Sequence, residues 1–282
     1  MTSFKEKSKK MSKKIRLTEY LVSAGHAADL KEASARIMAG EVYVDQQPAK
    51  NGMLILPDSN VTVKGETLPY ASKGVLKLTG ALEDFNIDVS GLICIDAGAS
   101  TGGFTDCLRR HGASLVYAVD VGYGQLTGRL RQDKGVVNLE RTNISDPQLL
   151  CLDPLPSLGT IDCSYLSLRK AIPYFTAILH GRGQLVCLVK PLFEIDDPAV
   201  RRSGIIPDEA YAPLLRDLIR DINLLPGTVC SSITFSHITG NSGTREFFLH
   251  VLLGEGLPAR DITAEIDPAV EKAQLLQQYK KV

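Results

Sequence analysis

Apolar positions along this chain repeat with two different periods, and the change of period marks two folded units. From Ile15 the spacing is helical: Leu17, Tyr20, Leu21 and Ala24 fall at i, i+3, i+4 and i+7, one face of a helix ending at Gly25. A second helix reads from Lys31 to Ala39, with Ala33, Ile37 and Met38 inward and Gly40 just past its end. Val42 and Val44 then alternate with Tyr43 and Asp45 as a short strand, and Ile55, Val61 and Val63 suggest further strands before Gly65. Two helices followed by small strands predict a compact α+β module over residues 15–72. Its size suits binding better than chemistry.

After Pro69 the pattern changes. Val75, Leu78 and Leu82 predict a helix, and beyond Gly91 short apolar runs alternate with helical segments as far as Leu253. The predicted strands are Leu92–Asp96, Leu115–Asp120, Val136–Leu139, Thr160–Cys163, Gln184–Val189, Thr228–Phe235 and Glu246–Leu253. Strands alternating with helices predict an α/β domain over residues 73–255, a parallel sheet covered on both faces. Such sheets bind ligands at the carboxyl ends of their strands. Residues 256–282 leave this pattern. Ile262 to Tyr279 reads as an amphipathic helical tail with Ile266, Val270 and Leu275 or Leu276 on one side, lying across the domain or against a partner subunit.

Composition narrows the class. The 282 residues are 44% hydrophobic and 23% charged, which predicts folding over most of the length. Lys+Arg 32 against Asp+Glu 32 cancels, so a global basic field cannot by itself bring the chain to a nucleic acid. The charge is unevenly placed, however. Residues 1–16 carry Lys5, Lys7, Lys9, Lys10, Lys13, Lys14 and Arg16 against the single acid Glu6, so residues 1–14 are predicted to form a flexible cationic arm. That arm is either a contact for RNA or a solubilising tail. No apolar run approaches the roughly 18 residues of a spanning helix, and the lysine-rich start lacks the apolar core of a secretion signal. The six cysteines (Cys94, Cys107, Cys151, Cys163, Cys187, Cys230) form no CxxC pair and no zinc pattern. Free thiols in a reducing cytosol and a cytoplasmic protein without a metal are expected.

The chemistry is concentrated after the first strand of the larger unit. It ends in Asp96-Ala97-Gly98-Ala99-Ser100-Thr101-Gly102-Gly103-Phe104, a glycine turn that brings backbone N–H groups against a ligand. Asp120 ends the next strand, 24 residues after Asp96, where an acid can accept both hydroxyls of a ribose. A dinucleotide fingerprint would place glycine where Ser100 stands, so the turn fits a nucleoside better than a pyrophosphate. Asp96 adds an acid expected to face the ligand, which suits a cationic sulfonium. S-adenosylmethionine is therefore favoured over NAD, with a purely structural glycine turn as the alternative. The expected cofactor contacts are Asp96, Gly98, Ser100, Gly102, Gly103, Phe104, Asp120 and Val121.

Residues 92–128 resemble the cofactor half of the TlyA-type methyltransferases, RNA 2′-O-methylating enzymes that join an S4 domain to an FtsJ-like catalytic domain. The likeness extends to Glu140-Arg141-Thr142-Asn143, Lys190-Pro191-Leu192-Phe193-Glu194 and Gly240-Asn241-Ser242-Gly243-Thr244-Arg245-Glu246. Upstream, Arg16-Leu17 and the run from Ile37 to Asp45 resemble the S4 module. There Asp29-Leu30 stands where Ser-Arg is usual, and Asp45-Gln46 where Asn-Gly is usual. Residues 29–72 also hold more acids than bases, which predicts a weak grip on RNA. The resemblance covers about residues 15–253. It implies a Rossmann-like class I methyltransferase sheet with a small N-terminal S4-like domain, and ribosomal RNA or ribosomal subunits as partner, with a cytidine ribose as acceptor. Members are often labelled haemolysins, yet nothing here has the apolar length that lysis would need.

FtsJ-like enzymes use a Lys-Asp-Lys-Glu set, and the resemblance puts it on Lys77, Asp162, Lys190 and Glu246. Methylating a ribose hydroxyl requires removal of its proton, and Lys190 is the expected acceptor. A free lysine titrates near ~10.4, so about one in 2,500 is neutral at pH 7. Burial and Lys77 are expected to favour the neutral form, while Asp162 and Glu246 oppose it and orient the ribose. Arg16, Lys31, Arg36, Arg201 and Arg202 are the expected RNA contacts. Arg109, Arg110, Arg129, Arg131, Arg169 and Lys170 form a weaker candidate phosphate rim. Tyr165 and Phe193 either stack on a base or pack, and His111 and His250 read as structural. Cys163-Ser164-Tyr165, Leu192 and Thr244 depart from the family pattern around the acceptor pocket. The rival reading is an RNA- or ribosome-binding protein that keeps the fold without turnover.

Overall fold

The computed structural model describes residues 14–23, 26–27, 29–45, 47–56, 59, 61–63, 71–164, 166–240 and 243–276. The cationic arm as far as residue 13, together with Ala24, Gly25, Tyr165, Asn241, Ser242 and Tyr279, lies outside the described residues. The chain divides into two units between Leu68 and Pro69.

In the first unit β1 (Ile15–Arg16) leads into α1 (Leu17–Ser23) and α2 (Leu30–Met38). These are followed by β2 (Val42–Val44), β3 (Gln47–Pro48), β4 (Leu54–Ile55) and β5 (Val61–Val63). β1 pairs with β4, and β2 is the centre of an antiparallel sheet ordered β3-β2-β5. Leu17, Tyr20, Leu21, Ala33, Ile37, Val42, Val44 and Ile55 form the core. α2 opens at Asp29, whose Oδ1 accepts the Glu32 N–H at 2.8 Å, so the departure from Ser-Arg still supplies a helix cap. Met38 is corrected: it is 71% exposed. Ala33 and Ile37 form the inward stripe, and the residue after Ile37 is turned roughly 100° farther round the helix.

The second unit runs α3 (Gly74–Asp84), β6 (Ile93–Ala97), α4 (Gly103–Arg110), β7 (Leu115–Asp120), α5 (Gly128–Gln132), β8 (Val136–Glu140) and β9 (Leu158–Ile161). It continues with α6 (Leu168–Ile178), β10 (Gly183–Val189), α7 (Pro191–Glu194), α8 (Pro198–Ser203) and α9 (Tyr211–Asn223). β11 (Thr228–Phe235), β12 (Phe247–Leu253) and α10 (Thr263–Leu275) complete it. One sheet has the order β11-β12-β10-β9-β6-β7-β8. The five strands from β10 to β8 are parallel, whereas β12 is antiparallel to both its neighbours. The expectation of a parallel sheet is corrected at that edge, because β11 and β12 follow one another without an intervening crossover helix.

Strand residues alternate between two cores, as a period of two requires. Ile95, Tyr117, Cys187, Val189 and Phe247 pack with α6, α9 and α10. Cys94, Val116, Leu158, Val186, Leu188 and Phe248 pack with α3 and α4. The chain leaves β6 toward β7 on one side and returns to β9 on the other, which opens a crevice at the carboxyl ends of these strands. α10 packs on the domain: Ser232 Oγ donates to Glu265 at 2.7 Å, and Arg216 on α9 pairs with Asp267 at 2.6 Å. Ile266, Ala269, Val270 and Ala273 are its buried face. Of Leu275 and Leu276, the alternatives expected on that side, Leu275 is 82% exposed and Leu276 half-buried, and Ala273 takes the inward position. Among the described residues no helix is long and apolar enough to cross a membrane.

Candidate active site

A cavity of about 790 Å³ occupies the crevice, within the range of roughly 300–1,000 Å³ usual for ligand pockets. Gly98, Ser100, Asp120 and Val121 wall one side, and Thr142, Asn143, Ile144 and Ser145 close the end beyond β8. Asp162, Cys163, Ser164, Leu166, Tyr174 and Lys190 form the opposite wall. Asp120 accepts the Ser100 N–H on Oδ2 at 2.8 Å and the Gly122 N–H on Oδ1 at 2.7 Å. An ionised carboxylate has about four acceptor positions, so two remain for a pair of hydroxyls. Glu140 accepts the N–H groups of Gln125 and Leu126 at 2.8 and 3.1 Å and so holds the loop after β7. Those N–H groups, that of Leu126 foremost, draw its carboxyl down to about 2.

Asp96 does not face this cavity. Two positions after Cys94, it lies on the sheet face covered by α4 and is fully buried. Thr105 Oγ1 donates to its Oδ2 at 2.7 Å and Thr160 Oγ1 to its Oδ1 at 2.8 Å. Burial pushes its carboxyl up to about 6 in spite of both hydroxyls. Gly102, Gly103 and Phe104 are also turned toward the protein. A Cβ on Gly102 would strike Leu130, and one on Gly103 would strike Ser72. Phe104 packs against Phe248 with ring centres 6.0 Å apart. Of the eight expected cofactor contacts, Gly98, Ser100, Asp120 and Val121 line the cavity. The wall from Thr142 to Ser145 was missed, although its place just beyond the third parallel strand was the available signal.

The four charged residues of the expected catalytic set form two ion pairs. Lys77, from the middle of α3, places Nζ 2.5 Å from Glu246 Oε2. Lys190, the residue after β10, places Nζ 2.5 Å from Asp162 Oδ1. The Lys190 ammonium also donates to the Asp162 carbonyl and to Ser164 Oγ, each at 3.2 Å. The sheet register brings the parts together. Val189 pairs with Phe247, so Lys190 and Glu246 continue adjacent strands, and Ala97 pairs with Ile161 just before Gly98 and Asp162. Gly98 has φ +83°, and a Cβ there would lie 2.6 Å from the Asp162 carbonyl oxygen, so the approach needs glycine. Burial raises the Glu246 carboxyl above its ordinary range; Lys77 and Lys190 pull it down and Asp162 pushes it up. All four charges therefore act on one another. Asp162 and Lys190 line the cavity, and Lys77 and Glu246 are not among its lining residues.

Most of the candidate phosphate rim is committed elsewhere. Arg109 pairs with Asp133, Arg131 with Glu140, and Arg169 with Glu194 and Asp221. Arg110 and Arg129 both pair with the buried Asp106, which also accepts the Ala71 N–H at 2.8 Å. Of the expected RNA contacts Arg36 pairs with Glu32, and Arg201 Nε donates to the Ile195 carbonyl at 2.6 Å. Arg16, Lys31, Arg201 and Arg202 are exposed. His250 is held by Ser231 and Gln184, and His111 by the Cys107 carbonyl. No group of three or more metal-ligating side chains occurs among the described residues.

Residues 70–252 match the FtsJ-like methyltransferase family. The YqxC protein of Bacillus subtilis is 41% identical over 96% of this chain and 98% of its own length. The 16S/23S rRNA (cytidine-2'-O)-methyltransferase TlyA of Mycobacterium tuberculosis is 36% identical over 85% and 90%. A solved structure from Streptococcus thermophilus, of a protein named as a hemolysin, superposes with a TM-score of 0.69 at 34% identity, covering 94% of this chain and 97% of that one. The chain belongs to the FtsJ-like methyltransferases and, among them, to the TlyA family.

Proposed function

We propose that the protein methylates a ribose 2′-hydroxyl of ribosomal RNA, on a cytidine, with S-adenosylmethionine as the methyl donor. The observation that carries this reading is the pair of ion pairs, Lys77–Glu246 and Lys190–Asp162, set side by side at the carboxyl end of the sheet against a nucleoside-sized cavity. The cavity fits the donor. Asp120 has acceptor positions left for ribose hydroxyls, Ile144 and Leu166 offer apolar walls, and Asn143 and Ser145 a polar edge. When bound, S-adenosylmethionine supplies an electrophilic methyl group.

Lys190 is the group that takes the hydroxyl proton onto Nζ. Its three oxygen contacts, to the Asp162 carboxylate, the Asp162 carbonyl and Ser164 Oγ, fix Nζ at the cavity wall. Asp162 and Ser164 hold the amine in place, and the Lys77–Glu246 pair orients the ribose. Residues 15–72 are read as an S4-like RNA-binding domain, residues 73–255 as the catalytic domain and residues 256–282 as a helical tail. Residues 1–14 are read as a basic arm that adds phosphate contacts, and ribosomes as targets imply a cytoplasmic protein.

Transfer of labelled methyl from S-adenosylmethionine to ribosomal subunits tests the reading. Lys190→Ala is expected to bind the donor and lose transfer by at least about 100-fold. Donor and RNA binding by the unsubstituted protein without any transfer would instead support the non-catalytic reading.

A further inference from the structure

Glu194 has no part in the reading above, yet its carboxylate is buried and engages three donors. Its side chain is 2% exposed. Oε1 accepts the Leu168 N–H at 2.7 Å, and Oε2 accepts the Ser167 hydroxyl at 2.6 Å and Arg169 Nη1 at 3.0 Å. Ser167 caps α6, accepting the Arg169 N–H at 3.2 Å, and Arg169 Nε reaches Asp221 on α9 at 2.8 Å.

These contacts close a ring around the Lys190–Asp162 pair. Lys190 is the cap of the single-turn helix α7, and Glu194 is that helix's last residue. The carboxylate paired with the Lys190 ammonium and both acceptors of its hydrogen bonds belong to the stretch from Asp162 to Ser164. One end of that stretch is fixed to the sheet, where the Asp162 N–H donates to the Ala97 carbonyl at 2.9 Å. Farther along, Ser167 and Leu168 are fixed by Glu194, and Leu166 packs against the core.

We infer that Glu194 is a positioning residue, which sets the distance between Lys190 and the Asp162–Ser164 segment by tying α7 to the start of α6. The inference rests on Lys190 as the reacting amine. A plain helix cap would affect stability only. A positioning residue affects the rate more than donor affinity, because Asp120, Gly98 and Ser100 lie on other segments, although Cys163, Ser164 and Leu166 also line the cavity.

Glu194→Gln preserves the side-chain shape and removes the charge that faces Arg169. With full-length protein, ribosomal subunits and labelled S-adenosylmethionine, kcat is expected to fall at least about tenfold. The donor KM is expected to stay within about threefold. In parallel, the acetylation rate of each lysine, read by mass spectrometry without substrate, is expected to rise several-fold at Lys190 and not at Lys134. Ser167→Ala removes one tether without leaving a charge unpaired; it should shift both readouts in the same direction by less, and it serves if the first variant fails to fold. Unchanged kcat and unchanged Lys190 reactivity in a folded variant overturn the inference. So does a loss of rate matched by an equal loss of donor affinity and thermal stability. If the unsubstituted protein transfers no methyl, the functional reading fails, while Lys190 reactivity still decides the role of Glu194.

Discussion

Glu246 stands beside Lys190 because Phe247, which follows the acid, is paired with Val189, which precedes the lysine. An antiparallel edge strand thus delivers a carboxylate to the carboxyl end of a parallel sheet. Lys77, on α3, lies 2.5 Å from that carboxylate. Lys190 and Lys77 consequently have different neighbours and should fail differently. Lys190→Arg keeps a positive charge that Asp162 can pair but cannot give up a proton. Methyl transfer should drop by at least about 100-fold. Near-normal transfer by Lys190→Arg would make Lys190 a positioner rather than a base.

Lys77→Ala leaves Glu246, whose side chain is 7% exposed, without its ion-pair partner. Removing one partner of a buried pair costs about 3–5 kcal/mol. Lys77→Ala is therefore expected to lower stability toward urea markedly. The double variant Lys77→Met with Glu246→Leu should recover much of that stability while remaining inactive. Equal stability of Lys77→Ala and the unsubstituted protein would show that Glu246 takes up a proton without penalty.

Gly240 precedes the segment that leads to Glu246, and a Cβ there would strike Glu246 Oε1 and the Thr244 hydroxyl. Gly240→Ala should therefore displace the carboxylate from Lys77 and reduce kcat, with donor binding kept. Isothermal titration with S-adenosylhomocysteine alongside the transfer assay separates the two effects. A variant with normal kcat would mean that the loop yields instead of Glu246.

Much of this was legible from residue types alone. Leu115–Asp120 has the bounds read from its apolar run, because a buried strand is an uninterrupted apolar segment between turns. The four residues of the proposed catalytic set were placed through family resemblance, and spacing alone would not have joined Lys77 to Glu246 across 169 positions. Asp96 was misread because alternation along a strand shows that Cys94 and Asp96 share a face, but not which helix covers it. α4 covers it, and Thr105 takes the carboxylate. The arginine rim failed for a related reason. A sequence shows cations but not the acids opposite them, and Asp106 and Asp133 come into range only after folding.

The thiols should divide sharply by environment. Cys94, Cys107 and Cys230 are buried, which pushes each up to about 12. Cys163 borders the cavity, yet burial, followed by the charge of Asp162, also raises it to about 12. Cys151 is exposed. A thiol reagent applied to the native protein at pH 8 should label Cys151 first and Cys163 slowly. S-adenosylhomocysteine should slow Cys163 further. Equal labelling of the two would show that the cavity wall opens freely.

Asp96 makes the clearest prediction about pH. Its carboxyl lies at about 6 in the folded protein against an ordinary 3.8, because burial disfavours the charged form more than Thr105 and Thr160 support it. The folded state thus holds this proton more tightly than the unfolded chain does. The associated stability is complete below about pH 4 and is lost as the pH rises through about 6. The rise from 3.8 to about 6 corresponds to about 3 kcal/mol. Asp96→Asn does not titrate, and its amide can still bond both threonine hydroxyls. Relative to the unsubstituted protein, the variant should therefore gain stability between pH 4 and pH 7, by on the order of 2–3 kcal/mol. Urea denaturation of both proteins at pH 4, 5.5 and 7 measures the difference directly. A difference that stays constant across the three would mean that Asp96 ionises as readily beneath α4 as in the open chain.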